Sequence, residues 1–152
     1  MDRTSETFPP SKGTYSLILR MSEARHLTVG KLGAFEFPGG WYVYVGSAHG
    51  PGGLRARLAH HLSSATKPHW HIDYLRLAAP LWSVWYRASE TVFEHLWATH
   101  LLALPGAAIP VRRFGASDCT CATHLIHFRE YPDLEAFSKS IGAEVMHQQI
   151  QP

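Results

Sequence analysis

The chain carries one segment, residues 41–62, that limits its fold more than any other. Trp41–Ala48 is a run of aromatic and β-branched residues that ends in small residues, as a buried strand does. The turn sequence Gly50–Gly53 follows, and Leu54–Leu62 then has the apolar spacing of a helix. This segment predicts a strand, a turn and a helix that aims its arginines and histidines back at the strand.

The other hydrophobic patterns predict an α+β fold, with a small antiparallel β-sheet flanked by helices. Gly13–Leu19 and Ala34–Phe37 are predicted strands, and with Trp41–Val45 they are expected to form an antiparallel meander. Further strands are predicted over 81–86 and 123–128, and further helices near 68–75, over 90–104 and from Pro132 to Gly142.

Length and composition predict one globular domain over 13–142, with flexible tails at 1–12 and 143–152. The chain has 152 residues, of which 45% are hydrophobic and 17% charged. No apolar stretch reaches the ~20 residues that span a bilayer, and the N-terminus lacks the pattern of a signal peptide. Cys119 and Cys121 are too close in sequence for an unstrained disulfide. We therefore expect a reduced, cytoplasmic protein with no membrane partner.

The basic residues are unevenly distributed. A formal net charge of +2 does not by itself indicate a nucleic-acid partner, but Arg55, Arg57, His60 and His61 lie in one short helical segment. Affinity for phosphates depends on the patch that meets them rather than on the total charge. This helix is therefore the candidate phosphate-binding element.

Two short motifs resemble those that name the GIY-YIG nuclease superfamily: Gly13-Thr14-Tyr15 and Tyr44-Val45-Gly46. The arginine helix that follows is similar to that superfamily's helix. More closely, the chain resembles a small GIY-YIG-like family of unknown function, whose members occur alone or joined to base-excision-repair glycosylase domains. The segments that carry this resemblance are Lys31–Gly33, Tyr42–Ala48, His69–Leu75 and Phe114–Cys121 with His124. It implies a GIY-YIG-like core with C-terminal additions.

The resemblance implies a metal-dependent endonuclease that hydrolyses phosphodiester bonds of DNA in repair or processing. Tyr15 would be the general base or would orient the attacking water, and Tyr44 would hydrogen-bond either the site or the scissile phosphate. Arg57 would hold the phosphate, His61 would share proton transfer, and Glu94 would hold one magnesium or manganese ion. A phenol with a pKa of about 10 is a poor base alone, so Tyr15 needs a cation or metal-bound water nearby.

Single-stranded, damaged or branched DNA is the expected partner, together with a DNA-repair protein. The predicted contacts to DNA are Ser47, Arg55, Arg57, His60 and His71.

The chain departs from the nuclease pattern in three ways. Thr14 stands where isoleucine is usual, 28 residues lie between Tyr15 and Tyr44, and asparagine, which many members use late in the site, is absent. These departures keep a second hypothesis open, a catalytically inactive nucleic-acid-binding module with the same fold. Glu90 is an alternative to Glu94 as the metal-binding carboxylate. Tyr42 and Tyr44 are also typical core residues.

Cys119, Cys121 and His124 support a third hypothesis, a zinc-stabilised interaction domain. Thiolates and imidazoles bind zinc, although the Cys-x-Cys spacing differs from the usual Cys-x₂₋₄-Cys. His69, His71 or Asp73 are candidate further ligands. His69, His71 and Asp73 are equally well explained as a group that caps the start of a helix.

Overall fold

The computed structural model describes residues 7–63, 68–116 and 121–151, and these have an α+β fold. The strands are β1 Gly13–Met21, β2 Arg25–Val29, β3 Gly33–Phe37, β4 Gly40–Ala48, β5 Leu81–Ala88, β6 Leu125–Phe128 and β7 Met146–Gln149. The helices are α1 Gly53–Leu62, α2 His71–Arg76, α3 Glu94–Leu102 and α4 Leu134–Ile141. A 3-10 turn over Gly30–Leu32 joins β2 to β3.

Five strands form one antiparallel sheet in the order β6-β4-β1-β5-β7. Tyr15 on the central strand β1 pairs with Gly46 on β4 and with Tyr86 on β5. β1 therefore pairs directly with β4 along its whole length. The predicted meander is wrong, because β1 pairs directly with β4 and not with the strand that precedes β4. β2 and β3 instead form a separate hairpin.

Helices cover both faces of the sheet. α1 and α2 pack with Leu17 and Leu19 on one face, and α3 and α4 pack with Ile18 and Val43 on the other. Successive side chains of a strand point to opposite faces, so a strand covered on both sides is buried almost throughout. β1 is buried at every position except Arg20. None of the described helices is long and apolar enough to cross a membrane.

Parts of both predicted flexible tails pack against the domain. Phe8 is fully buried and meets the ring of Tyr86 edge-on, with centroids 5.2 Å apart. At the other end, β7 pairs with β5 although its side chains are mostly exposed. Composition did not predict β7, because what holds an edge strand is mainly backbone hydrogen bonding to its neighbour.

Two predicted helix boundaries have different outcomes. α4 ends at Ile141 and is capped, as predicted, by Gly142, which adopts a left-handed conformation with φ 67°. The helix predicted over 90–104 is shorter, since α3 begins only at Glu94. The backbone amide of Phe93 is held by Thr14, which places the first turn of α3 against the sheet.

Candidate active site

The five predicted catalytic residues meet at one end of the sheet. They come from four elements: Tyr15 from β1, Tyr44 from β4, Arg57 and His61 from α1, and Glu94 from the start of α3. The hydroxyl oxygen of Tyr15 lies 2.7 Å from Nε2 of His61. Tyr44, Arg57 and Glu94 each lie close enough to change the pKa of Tyr15. Residues up to 79 positions apart in the sequence therefore form one cluster.

Gly46 makes room for the ring of Tyr15. The two residues are paired across β4 and β1, and a Cβ atom on Gly46 would lie 2.3 Å from both Cζ and the hydroxyl oxygen of Tyr15. Such a distance is far inside van der Waals contact. The glycine of the Tyr-x-Gly motif therefore allows the phenol to cross the strand and reach His61.

A second glycine shapes the environment of Tyr44. Gly115 has φ 69°, and a Cβ atom there would lie 2.8 Å from Cε1 of Tyr44. Its backbone N–H donates a 2.8 Å hydrogen bond to Nδ1 of His71. His71 thus anchors the loop that packs against Tyr44, and its Nδ1 is engaged within the protein.

Thr14 positions Glu94. The Thr14 hydroxyl accepts a 3.2 Å hydrogen bond from the backbone N–H of Phe93, the residue that precedes Glu94. The carboxylate Oε1 of Glu94 in turn lies 2.9 Å from Nδ1 of His124, and the Glu94 side chain is 22% exposed. An isoleucine at position 14 has no such acceptor, so the threonine gives this chain its own way of fixing the glutamate beside Tyr15.

Both tyrosines are neutral phenols in the folded protein. Burial, and next the neighbouring Tyr44, raise the pKa of Tyr15 well above its usual value, although Arg57 opposes the shift. Burial and then Glu94 likewise raise the pKa of Tyr44. Tyr15 is 1% exposed and Tyr44 is 9% exposed. At neutral pH these hydroxyls donate hydrogen bonds and do not act as phenolate bases.

His61 is also neutral. Burial, followed by the neighbouring His60, lowers the pKa of His61 to about 3. Its Nδ1 is buried and, within the described part of the chain, has no hydrogen-bond partner. A neutral imidazole has one nitrogen able to accept a proton, so His61 is the base nearest to the Tyr15 hydroxyl.

Arg57 is the half-buried cation of the cluster. Its guanidinium lies over the ring of Trp70, with Cζ 4.7 Å from the ring centroid, a cation–π contact that holds the side chain in place. Arg57, His60 and Trp70 line an open cavity of about 170 Å³, together with the turn residues Gly50 and Pro51. A larger cavity of about 710 Å³ lies near Phe128, which pairs with Trp41 at the far end of β4.

Asp73 caps helix α2, as the alternative interpretation predicted. Its Oδ2 accepts 2.9 Å hydrogen bonds from the backbone N–H groups of His69 and Trp70. Burial raises its pKa, but these two amides and His60 outweigh that effect and lower the pKa overall. The Oδ1 atom lies 3.4 Å from Nε2 of His60. The cap fixes Trp70, and through it Arg57.

The predicted DNA contacts have varied surroundings. Arg55 is exposed, but its Nε donates a 2.9 Å hydrogen bond to the carbonyl of Phe8. Ser47 lies 2.6 Å from Nδ1 of His49, so its hydroxyl is engaged locally. Glu90, the alternative to Glu94, is exposed and lies 3.7 Å from Lys12. Arg57 and His60 are thus the predicted contacts that line the cavity.

A second group of polar side chains lies beside Glu94. Nδ1 of His95 is 2.8 Å from Sγ of Cys121, and the ring centroids of His95 and His124 are 6.0 Å apart. The sequence pattern indicated Cys121 and His124 as possible ligands but did not indicate His95. Its signal in the sequence was only its position directly after the candidate carboxylate. Cys119, the other candidate cysteine, lies outside the described residues.

Comparison with known proteins gives one match. Residues 14–147 match a family described as the domain of unknown function DUF123. Neither the curated proteins nor the solved structures contain a significant match to the chain.

Proposed function

The chain belongs to the DUF123 family, and we propose that it is a metal-dependent endonuclease that hydrolyses phosphodiester bonds in DNA. The observation that carries this proposal is the convergence of two phenols, a guanidinium, an imidazole and a carboxylate at one end of the sheet. The resemblance of the two tyrosine motifs to those of the GIY-YIG nucleases supports the same assignment.

The phosphate enters beside Arg57. This side chain lines the open cavity and is held by Trp70, so its guanidinium is positioned before a substrate arrives. Two parallel N–H donors of a guanidinium match two oxygens of a phosphate. The neutral hydroxyl of Tyr44 donates a further hydrogen bond, and both groups stabilise the charge that develops as a fifth oxygen bonds to phosphorus.

Tyr15 and His61 move the proton. The oxygen of water bonds to phosphorus, one phosphorus–oxygen ester bond breaks, and the leaving oxygen takes a proton from solvent. Tyr15 accepts the proton of the attacking water as its own hydroxyl proton passes to Nε2 of His61, 2.7 Å away. The negative charge of the phosphodiester raises the proton affinity of His61 when DNA is bound.

Glu94 is the residue that would hold the divalent ion. One carboxylate oxygen contacts His124, and the other is the candidate ligand for magnesium or manganese. A single carboxylate supplemented by water molecules is a donor set that magnesium accepts. The ion, when bound, neutralises negative charge at the scissile phosphate.

The cleavage assay uses labelled single-stranded, duplex and branched DNA with magnesium or manganese. We expect metal-dependent cleavage by the wild-type protein, and at least a 100-fold loss in Arg57→Ala, Glu94→Ala and Tyr15→Phe. Glu90→Ala and Arg129→Ala are matched controls, because both residues are exposed and outside the cluster. Wild-type protein that leaves all three substrates intact with both ions contradicts the proposal.

The deep burial of Tyr15 favours one second candidate, a module that binds DNA without cutting it. A phenol that is 1% exposed has almost no surface open to an attacking water. In this case Arg57 and Trp70 hold the backbone and stack bases. DNA binding that weakens with salt and with Arg57→Ala, without cleavage product, identifies this function.

A further inference from the structure

We infer that His95, Cys121 and His124 form a zinc site, which ties helix α3 to the segment that enters β6. One ligand atom from each residue lies within 4.8 Å of the other two. Zinc bonds to sulfur at about 2.3 Å and to imidazole nitrogen at about 2.0–2.1 Å, so a common ion reaches all three after small side-chain adjustments. One thiolate with two imidazoles is a donor set that suits zinc.

Glu94 completes the surroundings of this site. Its Oε1 lies 2.9 Å from Nδ1 of His124, which leaves Nε2 as the nitrogen for the metal. Histidine ligands of zinc are commonly oriented by a carboxylate on their other nitrogen, and loss of that carboxylate lowers metal affinity by about 10–100-fold. His124 is buried, so its ring is held in one orientation between the carboxylate and the ion.

A second group of possible ligands is already engaged. His60, His61 and Asp73 also place ligand atoms within 4.8 Å of one another. However, Asp73 accepts two backbone amides at the start of α2, and Nε2 of His61 contacts Tyr15. Binding a metal there breaks contacts that hold the candidate active site. In the group around Cys121, by contrast, two of the three ligand side chains, His95 and the thiol, already contact each other.

The structure changes the ligand set that the sequence offered. The Cys-x-Cys-x-x-His pattern pointed to ligands along one short segment, whereas His95 comes from a different element, 26 residues before Cys121. A requirement for His95 in zinc binding would therefore show that the fold, and not the local sequence motif alone, supplies the ligands. Three protein ligands leave the fourth tetrahedral position for water or a further donor.

Metal content is the primary test, because it does not depend on DNA cleavage. Protein purified without chelators is analysed for zinc, and metal-free protein is then titrated with cobalt as a spectroscopic probe. We expect one zinc per chain, and cobalt absorption bands that report thiolate ligation. Binding releases the thiol proton of Cys121 to solvent.

Single substitutions test which residues bind the zinc ion. His95→Ala and Cys121→Ser are expected to lose stoichiometric zinc, and Glu94→Gln to bind cobalt about 10–100-fold more weakly. His100→Ala is the matched control, since this histidine lies on the same helix and contacts Ser140. His95 is exposed, so its replacement leaves the core intact and keeps the test independent of folding.

Full zinc content in His95→Ala overturns the inference, and so does a wild-type protein that takes up neither zinc nor cobalt. Failure of this test does not contradict the proposed hydrolysis, because cleavage is measured with an added divalent ion and its loss in Arg57→Ala and Tyr15→Phe involves no zinc ligand. Conversely, a zinc-loaded protein that leaves DNA intact contradicts only the proposed hydrolysis. The two proposals are therefore tested separately.

Discussion

Replacing His61 with glutamine is expected to make the stability of the protein less dependent on pH. The folded protein holds His61 neutral, with a pKa of about 3, whereas an unfolded chain has a histidine pKa of about 6.5. Between these values the unfolded state binds one proton more than the folded state. The contribution of His61 to stability is therefore present above pH ~6.5 and is lost as the pH falls toward 3.

The size of the effect follows from the proton difference. One proton corresponds to about 1.4 kcal/mol in the free energy of unfolding for each pH unit. Because the unfolded histidine is only half protonated at pH ~6.5, the wild-type protein should lose about 2 kcal/mol more stability than His61→Gln between pH ~6.5 and ~4.5. The pKa of Asp73 is below its usual value and so lies beneath this window, while any contribution of His71 is common to both proteins and cancels.

Urea unfolding across this pH range measures the difference. His26→Gln serves as the control, because it makes the same substitution at an exposed position on β2. Parallel curves for the wild-type protein and His61→Gln would refute the reasoning. They would mean that the folded protein accepts a proton on His61 as readily as the unfolded chain does. The imidazole that contacts Tyr15 would then not be held in its neutral form.

Two packing predictions can be tested by the same unfolding measurements. Gly46→Ala is expected to destabilise the protein by about 1–3 kcal/mol, since the added methyl group collides with Tyr15. Gly50→Ala is the matched control, because no atom lies within 4 Å of its new Cβ. Equal urea midpoints of unfolding for the two variants would contradict the predicted collision. Phe8→Ala is expected to lower the free energy of unfolding by about 3–5 kcal/mol, because it removes a fully buried ring that packs against Tyr86. A loss of stability below ~1 kcal/mol is incompatible with that packing.

Local patterns predicted the elements that carry their own signal. β4 and α1 were predictable because a β-branched run, a glycine turn and a helical spacing follow one another within residues 41–62. The end of α4 was predictable because Gly142 adopts a left-handed conformation that other residues avoid. In these places the physical cause of the structure lies within a few residues of its effect.

Elements held by distant partners were less predictable. β7 has mostly exposed side chains and is held by backbone bonds to β5, so its sequence shows no strand pattern. α3 begins at Glu94 because Thr14, 79 positions earlier, accepts the amide of Phe93. His95 joins the group around Cys121 for a similar reason. None of these contacts leaves a periodicity in the chain, and only the fold reveals them.

Glu94 is the residue at which both proposals meet. Its carboxylate contacts His124, and its charge also acts on Tyr15 and Tyr44, so it belongs to the candidate active site and to the inferred zinc site. A carboxylate has two oxygens, and these proposals use one for each role. Thr14 fixes the backbone before Glu94, and a zinc ion bound by His124 would fix the side chain. The zinc would then act through position rather than through chemistry, by keeping the second oxygen directed toward the phosphate that Arg57 holds.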